Sequence, residues 1–181
     1  MQRCRWCNEK NLKYIEYHDN EWGVPVHDDS LLLEMLTLEM FHSGLSFEII
    51  LNKREHFKDV FHNYDIDYIC HMTEKDVEEL MINQNIVRHR KKIESAINNA
   101  KVFKNIQKEY GSFDKYIWSF TNYEIVYEAG KTNSELSGMV FKDFKNRGMK
   151  FLGSTTIYAY LQAIGIINSH DINCFLHKKD S

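Results

Sequence analysis

One proline and eight glycines punctuate a chain of 181 residues. That scarcity constrains the fold more than any other feature. An all-β sandwich needs a Gly- or Pro-rich turn roughly every 8–12 residues, and this chain cannot supply them. Hydrophobic residues make up 43% of it, enough for a buried core, so collagen-like, linker-like and disordered classes are excluded too. The length predicts a single domain, residues 1–181. The expected fold class is all-α.

Periodicity agrees. Ser30 reads as the cap of a helix to about Phe41, with Leu32, Met35, Leu36 and Met40 at helical spacing. Ser43-Gly44 interrupts it, and a second helix is expected from Ser46 to Phe57. Thr73-Glu74-Lys75-Asp76 fits a capping box opening a short helix to Met81. A long helix is expected from Val87 to Tyr110, and an aromatic one from Phe113 to Phe120. Residues 121–136 read as a loop and 1–29 as irregular. A helix from Leu136 to Arg147, a glycine-bounded hairpin and a helix capped by Ser154 or Thr155 follow, with Gly165 as the stop.

The net charge of −3 excludes a globally basic nucleic-acid binder. Only local patches could face DNA. One is Lys145, Arg147 and Lys150 around the hairpin; another is Arg88-His89-Arg90-Lys91-Lys92. Backbone N–H groups of such a hairpin, beside a helix N-terminus, form an anion site. A plain helical hairpin with a solvated basic face has the same pattern. No run approaches the ~18 apolar residues of a membrane span, and Met1-Gln2-Arg3-Cys4-Arg5-Trp6 lacks a signal-peptide core. A cytoplasmic protein without a membrane partner is expected, its four cysteines reduced.

Cys4 and His18 lie near one end of the chain, His170 and Cys174 near the other. The last two are spaced i, i+4, so on a helical turn they would face one way. Two Cys and two His make a closed tetrahedral zinc set with no position for water, hence a structural site. By analogy with a disulfide, joining residues this distant contributes on the order of 5 kcal/mol. Spacing alone leaves Cys7 able to replace Cys4 and His177 to replace His170, and ordinary buried residues would look the same. Cys70 reads as core.

Tyr14, Tyr17 and Trp22 surround His18, with Trp6 upstream. Glu39 sits in an apolar helix between Leu38 and Met40, where a carboxylate is costly unless paired or used. Stacked rings beside a carboxylate suit a flat cationic heteroaromatic, with cation–π attraction up to ~2 kcal/mol when desolvated. An alkylated adenine is such a ligand.

Taken in order, these segments resemble the DNA-3-methyladenine glycosylase I family, an all-helical group of the helix-hairpin-helix DNA glycosylase superfamily. The resemblance rests on Tyr17-His18-Asp19-Asn20-Glu21-Trp22-Gly23-Val24-Pro25, Leu38-Glu39, Ser43-Gly44-Leu45-Ser46 and Asn85 to Ile93. Trp118-Ser119-Phe120, Lys150-Phe151-Leu152-Gly153, His170 and Cys174 continue it over nearly the whole chain.

The resemblance implies a structural Zn2+ held by Cys4, His18, His170 and Cys174, tying segments 1–22 and 166–181 together and favouring Cys4 over Cys7. It implies that Glu39 reads a flipped base with help from Tyr17, against a wall of Trp6, Tyr14, Trp22 and Phe47. Gly44 and Leu45 would plug the gap left in the duplex. A helix-hairpin-helix at about 136–165, with Lys150 and Gly153, would hold the DNA backbone. The implied activity is hydrolysis of the N-glycosidic bond of 3-methyladenine in double-stranded alkylated DNA by a monomer. It leaves an abasic site and has no lyase step.

The chain departs from the family at Phe47, where tryptophan is common, in the bulkier Met40-Phe41-His42 segment, and in a short 121–136 loop. These departures carry the alternatives of a shifted range of alkylated bases or a non-catalytic DNA-binding protein. A zinc hydrolase or deaminase is disfavoured. It needs H-x-E and P-C-x-x-C, whereas Glu21 lies three residues after His18 and no proline precedes Cys4.

Overall fold

A computed structural model describes residues 1–177. Its centre is a helix of the Leu-Met-rich stretch, Asp29–His42, with every residue from Leu32 to Phe41 buried. A helix apolar on all sides must be wrapped on all sides. In chain order the helices are α1 (Leu12–Asn20), α2 (Asp29–His42), α3 (Phe47–Val60), α4 (Ile66–His71), α5 (Glu74–Ile82), α6 (Arg90–Tyr110), α7 (Phe113–Ser119), α8 (Glu135–Asn146) and α9 (Ser154–Ala163). α3, α6, α7 and α9 all pack on α2. One contiguous apolar core runs through them.

Several boundaries differ from the sequence expectation. The N-terminal segment is not wholly irregular, because the Asn11 side chain accepts from the Lys13 N–H at 3.0 Å and starts α1. Asp28, not Ser30, caps α2 through the Leu31 N–H at 2.9 Å. α6 begins at Arg90, with the His89 side chain as its cap. Gly153, without a side-chain bond, caps α9 in place of Ser154 or Thr155. The capping box at Thr73 and Asp76 is present. A 3-10 turn (His62–Tyr64) and α4 carry little amphipathic signal and were not anticipated.

The fold is mostly helical rather than purely so. β1 (Val126–Tyr127) lies inside the expected loop and pairs in parallel with β2 (Ile167–Asn168). Its peptide donors Val126 and Glu128 reach the carbonyls of Ile166 and Asn168 at 2.8 and 3.1 Å. This short ladder ties the 121–136 segment to the chain just before His170.

Beyond α9 the chain crosses the strap formed by residues 22–26. Gly23 donates to Gln162 and Val26 to Ile164, at 3.1 and 3.0 Å. Gly165 has φ +75°, and a Cβ there would overlap the backbone of Val24 and Pro25. The crossing therefore requires glycine. Among the described residues, no helix is long and apolar enough to cross a membrane.

Candidate functional site: an aromatic cavity beside a four-ligand cage

A cavity of about 380 Å³ opens between α1, the C-terminal half of α2, the start of α3 and α9. Trp6, Tyr14, Tyr17, Trp22, Glu39 and Phe47 all line it. The rings form a continuous wall. Trp6 meets Trp22 edge-on at 4.8 Å and Tyr14 at 5.8 Å between centroids, and Tyr17 meets Phe47 at 5.0 Å. α1 places Tyr14 and Tyr17 three residues apart, hence on one face.

Two polar groups face these rings. The Tyr17 side chain is 2% exposed, and its hydroxyl has no partner among the described residues. Burial, then nearby Glu39, holds its pKa well above the ordinary phenol range, so Tyr17 stays a neutral O–H. An unpartnered buried hydroxyl costs about 1–3 kcal/mol, a cost that a polar ligand edge would relieve. Glu39 is 6% exposed and is approached by His42 Nδ1 at 3.3 Å from Oε2. His42 also stands edge-on to Phe47 at 5.2 Å.

Asp171 adds a second carboxylate to the lining. Lys131, the single Lys or Arg on this lining, is ion-paired with Glu128. Formal charge on the wall thus favours a cation. His42, Gln162, Ser169, Asp171 and Lys131 were not singled out in the sequence as cavity residues. Two of them carry a signal: His42, at i+3 after Glu39 on the same helix, and Asp171, next to His170 in the sequence.

Directly behind the rings lie Cys4, His18, His170 and Cys174, all buried, with their ligand atoms within 4.8 Å of one another. Cys4 Sγ is 3.4 Å from His170 Nδ1, and Cys174 Sγ is 3.5 and 3.6 Å from His18 Nε2 and His170 Nδ1. A tetrahedral zinc with ordinary bond lengths separates its S and N ligands by about 3.6 Å. Surrounding bonds suit such an ion. His18 Nδ1 meets Asp19 at 2.7 Å, and Asp19 is held by Arg3. The Asp171 and Leu176 N–H groups donate to the sulfurs of Cys4 and Cys174 at 3.3 and 3.5 Å.

Burial pushes the Cys4 thiol up to about 12 and His170 down to about 4. Both shifts favour neutral forms, and a divalent cation supplies the charge that makes a buried thiolate favourable. Cys7 lies outside the cage, its thiol 3.7 Å from the Tyr14 carbonyl. His177 points Nδ1 at the His170 carbonyl instead. Cys70 is partly buried against the core. His170 and Cys174 do not share a helix. They sit on an irregular turn closed by the Cys174 N–H on the Asp171 carbonyl at 2.7 Å.

Gly44, Leu45, Lys150 and Gly153 are not among the cavity-lining residues. Gly44 has φ +80° in the α2–α3 turn, and Leu45 is exposed. Gly153 precedes α9, whose first turn carries neither a side-chain cap nor an acidic residue. Part of each basic cluster is engaged within the fold, while Arg88, Lys91, Lys145 and Lys150 are exposed. Arg147 pairs with Glu109 and Asp143 and lies over Tyr110 and Tyr116. Arg90 pairs with Glu74 and Glu78, and Lys92 is buried.

A family model described as methyladenine glycosylase matches residues 6–177. The chain is similar to DNA-3-methyladenine glycosylase 1 of Escherichia coli (strain K12), 39% identical over 180 residues and covering 96% of each chain. It is also similar to a DNA-3-methyladenine glycosylase of Haemophilus influenzae, 37% identical over 178 residues, with 95% of this chain and 96% of that one covered. Its structure is similar to 3-methyladenine DNA glycosylase I from Staphylococcus aureus, with a TM-score of 0.92, 34% identity, and 99% and 100% coverage. A tyrosine-to-phenylalanine variant of 3-methyladenine DNA glycosylase I, in complex with 3-methyladenine, gives a TM-score of 0.94 at 33% identity over 100% of both chains.

Proposed function

The chain belongs to the methyladenine glycosylase family, and from that premise we propose how its cavity works. It is a base-excision repair enzyme that removes 3-methyladenine from DNA. The observation that carries the assignment of roles is the meeting of the unpartnered Tyr17 hydroxyl and the Glu39 carboxylate in one ring-lined cavity.

N3-methylation leaves adenine positively charged while it is bonded to deoxyribose. The base is flipped out of the duplex at a cost of a few kcal/mol, least for a damaged base. Trp6, Tyr14, Trp22 and Phe47 stack around it, and their faces attract its charge. Glu39 accepts from the exocyclic amine, and Tyr17 satisfies a second polar position on the ring edge. The bond between the base and C1′ then breaks, its electron pair leaving with the base, which departs neutral. Water adds to the oxocarbenium-like C1′ and gives its proton to solvent. The products are free 3-methyladenine and an abasic site.

No lyase step is assigned, since the single lysine on the lining, Lys131, is turned to Glu128 and nothing marks it as a nucleophile. Gly44 and Leu45 fill the vacated stack, and the α8–α9 turn with Lys150 and Gly153 holds the backbone of double-stranded DNA. The protein acts as a monomer. Zinc fits the cage as a closed structural ion that fixes the backbone carrying Trp6, Tyr17 and Trp22. A cage needing free thiols suits a reducing cytoplasm.

The test is chromatographic detection of bases released from methylated duplex DNA by wild type and Glu39→Ala. Release of 3-methyladenine by wild type alone is expected. No release by a folded, zinc-loaded protein would overturn the roles assigned here.

A further inference from the structure

Lys92, in the first turn of α6, is 4% exposed and has no ion-pair partner among the described residues. A buried unpaired ammonium is costly. Its Nζ instead donates to the carbonyls of Phe41 at 2.9 Å and Ser43 at 2.6 Å. These carbonyls lie at the C-terminal end of α2, where unpaired acceptors and the negative end of the helix dipole receive a cation. Lys92 therefore caps the helix that carries Glu39, at the point where the chain turns into Gly44 and Leu45.

The same Nζ lies 5.6 Å from the centre of the Phe151 ring, in the α8–α9 turn. Phe151 has φ +58°, a strained conformation for a bulky residue. Two turns further along α6, Asn98 donates to the Gly148 carbonyl at 2.8 Å. Asn99 donates to the Lys150 carbonyl at 3.0 Å and accepts from its N–H at 2.8 Å. One face of one helix thus holds both the turn proposed to fill the duplex and the turn proposed to grip its backbone.

We propose that Lys92 is a positioning residue that couples the α8–α9 turn to the Gly44–Leu45 turn, so that gripping DNA and seating the flipped base occur in one fixed geometry. This rests on the function proposed above.

The experiment compares wild type, Lys92→Met, Lys92→Arg and Phe151→Leu. Three quantities are read: single-turnover base release from methylated duplex, affinity for an abasic-site duplex, and affinity for free 3-methyladenine. Lys92→Met is expected to lower release and duplex affinity about tenfold or more, as misplacement of reacting groups does, while free-base affinity stays within about twofold. Lys92→Arg, which keeps the charge, recovers part of the loss. Adding Phe151→Leu to Lys92→Met costs less than the product of the single effects, as coupled neighbours do.

Unchanged release by Lys92→Met, or free-base affinity falling in step with release, would overturn the proposal. If Lys92→Met does not fold, Phe151→Leu decides, and wild-type release and duplex affinity in that variant sink the coupling. Absence of release from wild type would instead refute the underlying glycosylase roles.

Discussion

The two walls of the cavity are built by opposite means. Glu39 and Phe47 stand on α2 and at the start of α3, where α2 is buried on all sides in the apolar core. Trp6, Tyr17 and Trp22 stand on a segment whose one helix, α1, has nine residues, too short to persist alone. That segment is held by the cage, by Arg3 on Asp19, and by the Phe175 N–H on the Gln2 carbonyl at 2.9 Å. The α2 wall is held mainly by packing, whereas the N-terminal wall adds directional bonds to the packing of Cys4, Tyr14, Tyr17 and Trp22. The difference makes the N-terminal wall the one expected to loosen first when its directional bonds are cut.

The largest expected effect would test that contrast directly. Cys174→Ser should abolish the proposed zinc binding and lower stability by about 2–5 kcal/mol, the range for losing a native long-range crosslink. Hydrogen exchange should rise across residues 1–24 and stay slow in α2; equal loosening of both walls would erase the distinction. Next, Glu39→Gln should weaken binding of free 3-methyladenine by about 10–100-fold, since hydrogen bonds to charged groups contribute about 1.5–3 kcal/mol. Its melting temperature should stay close to wild type, because the α2 wall does not depend on that carboxylate.

Tyr17→Phe sharpens the comparison through opposite signs. Removing the unpartnered hydroxyl should stabilise the free protein by up to about 1 kcal/mol and weaken base affinity about fivefold. Calorimetric melting and titration with 3-methyladenine read the two separately, and a loss of stability would mean that the hydroxyl is satisfied without ligand. Smallest is Phe47→Trp, where the larger ring face should tighten base binding by about 0.5 kcal/mol. A neutral result would move the stacking role to the other wall.

Much of this was legible in the residues because it is local. The buried run from Leu32, the capping box at Thr73 and the Gly148–Gly153 break all announce themselves within a few positions. Cys4, His18, His170 and Cys174 could be named only through the resemblance, since spacing left Cys7 and His177 open; the cage geometry separates them. Three members of the basic clusters have partners that their positions in the sequence do not reveal. Arg147 and Arg90 find carboxylates on other helices, and Lys92 finds carbonyls 51 and 49 positions away. Asn11 as a cap and β1 as a strand were hidden because one side-chain bond and two residues of ladder leave no periodic trace. Asp171 and Lys131 reach the cavity only through the irregular tail and the β1–β2 ladder, which no local pattern encodes.

The cage brings together side chains as far apart as Cys4 and Cys174, and Cys4 meets His170 across 166 positions. At a synthesis rate of about 5–20 residues per second, His170 is made roughly eight to thirty seconds after Cys4. For most of that interval the emerging chain carries Cys4 and His18 without the other two side chains of the cage. The α2 wall can be packed while the opposite wall still waits. The cavity wall that leans on the cage therefore cannot be completed before residues 170–174 have been made.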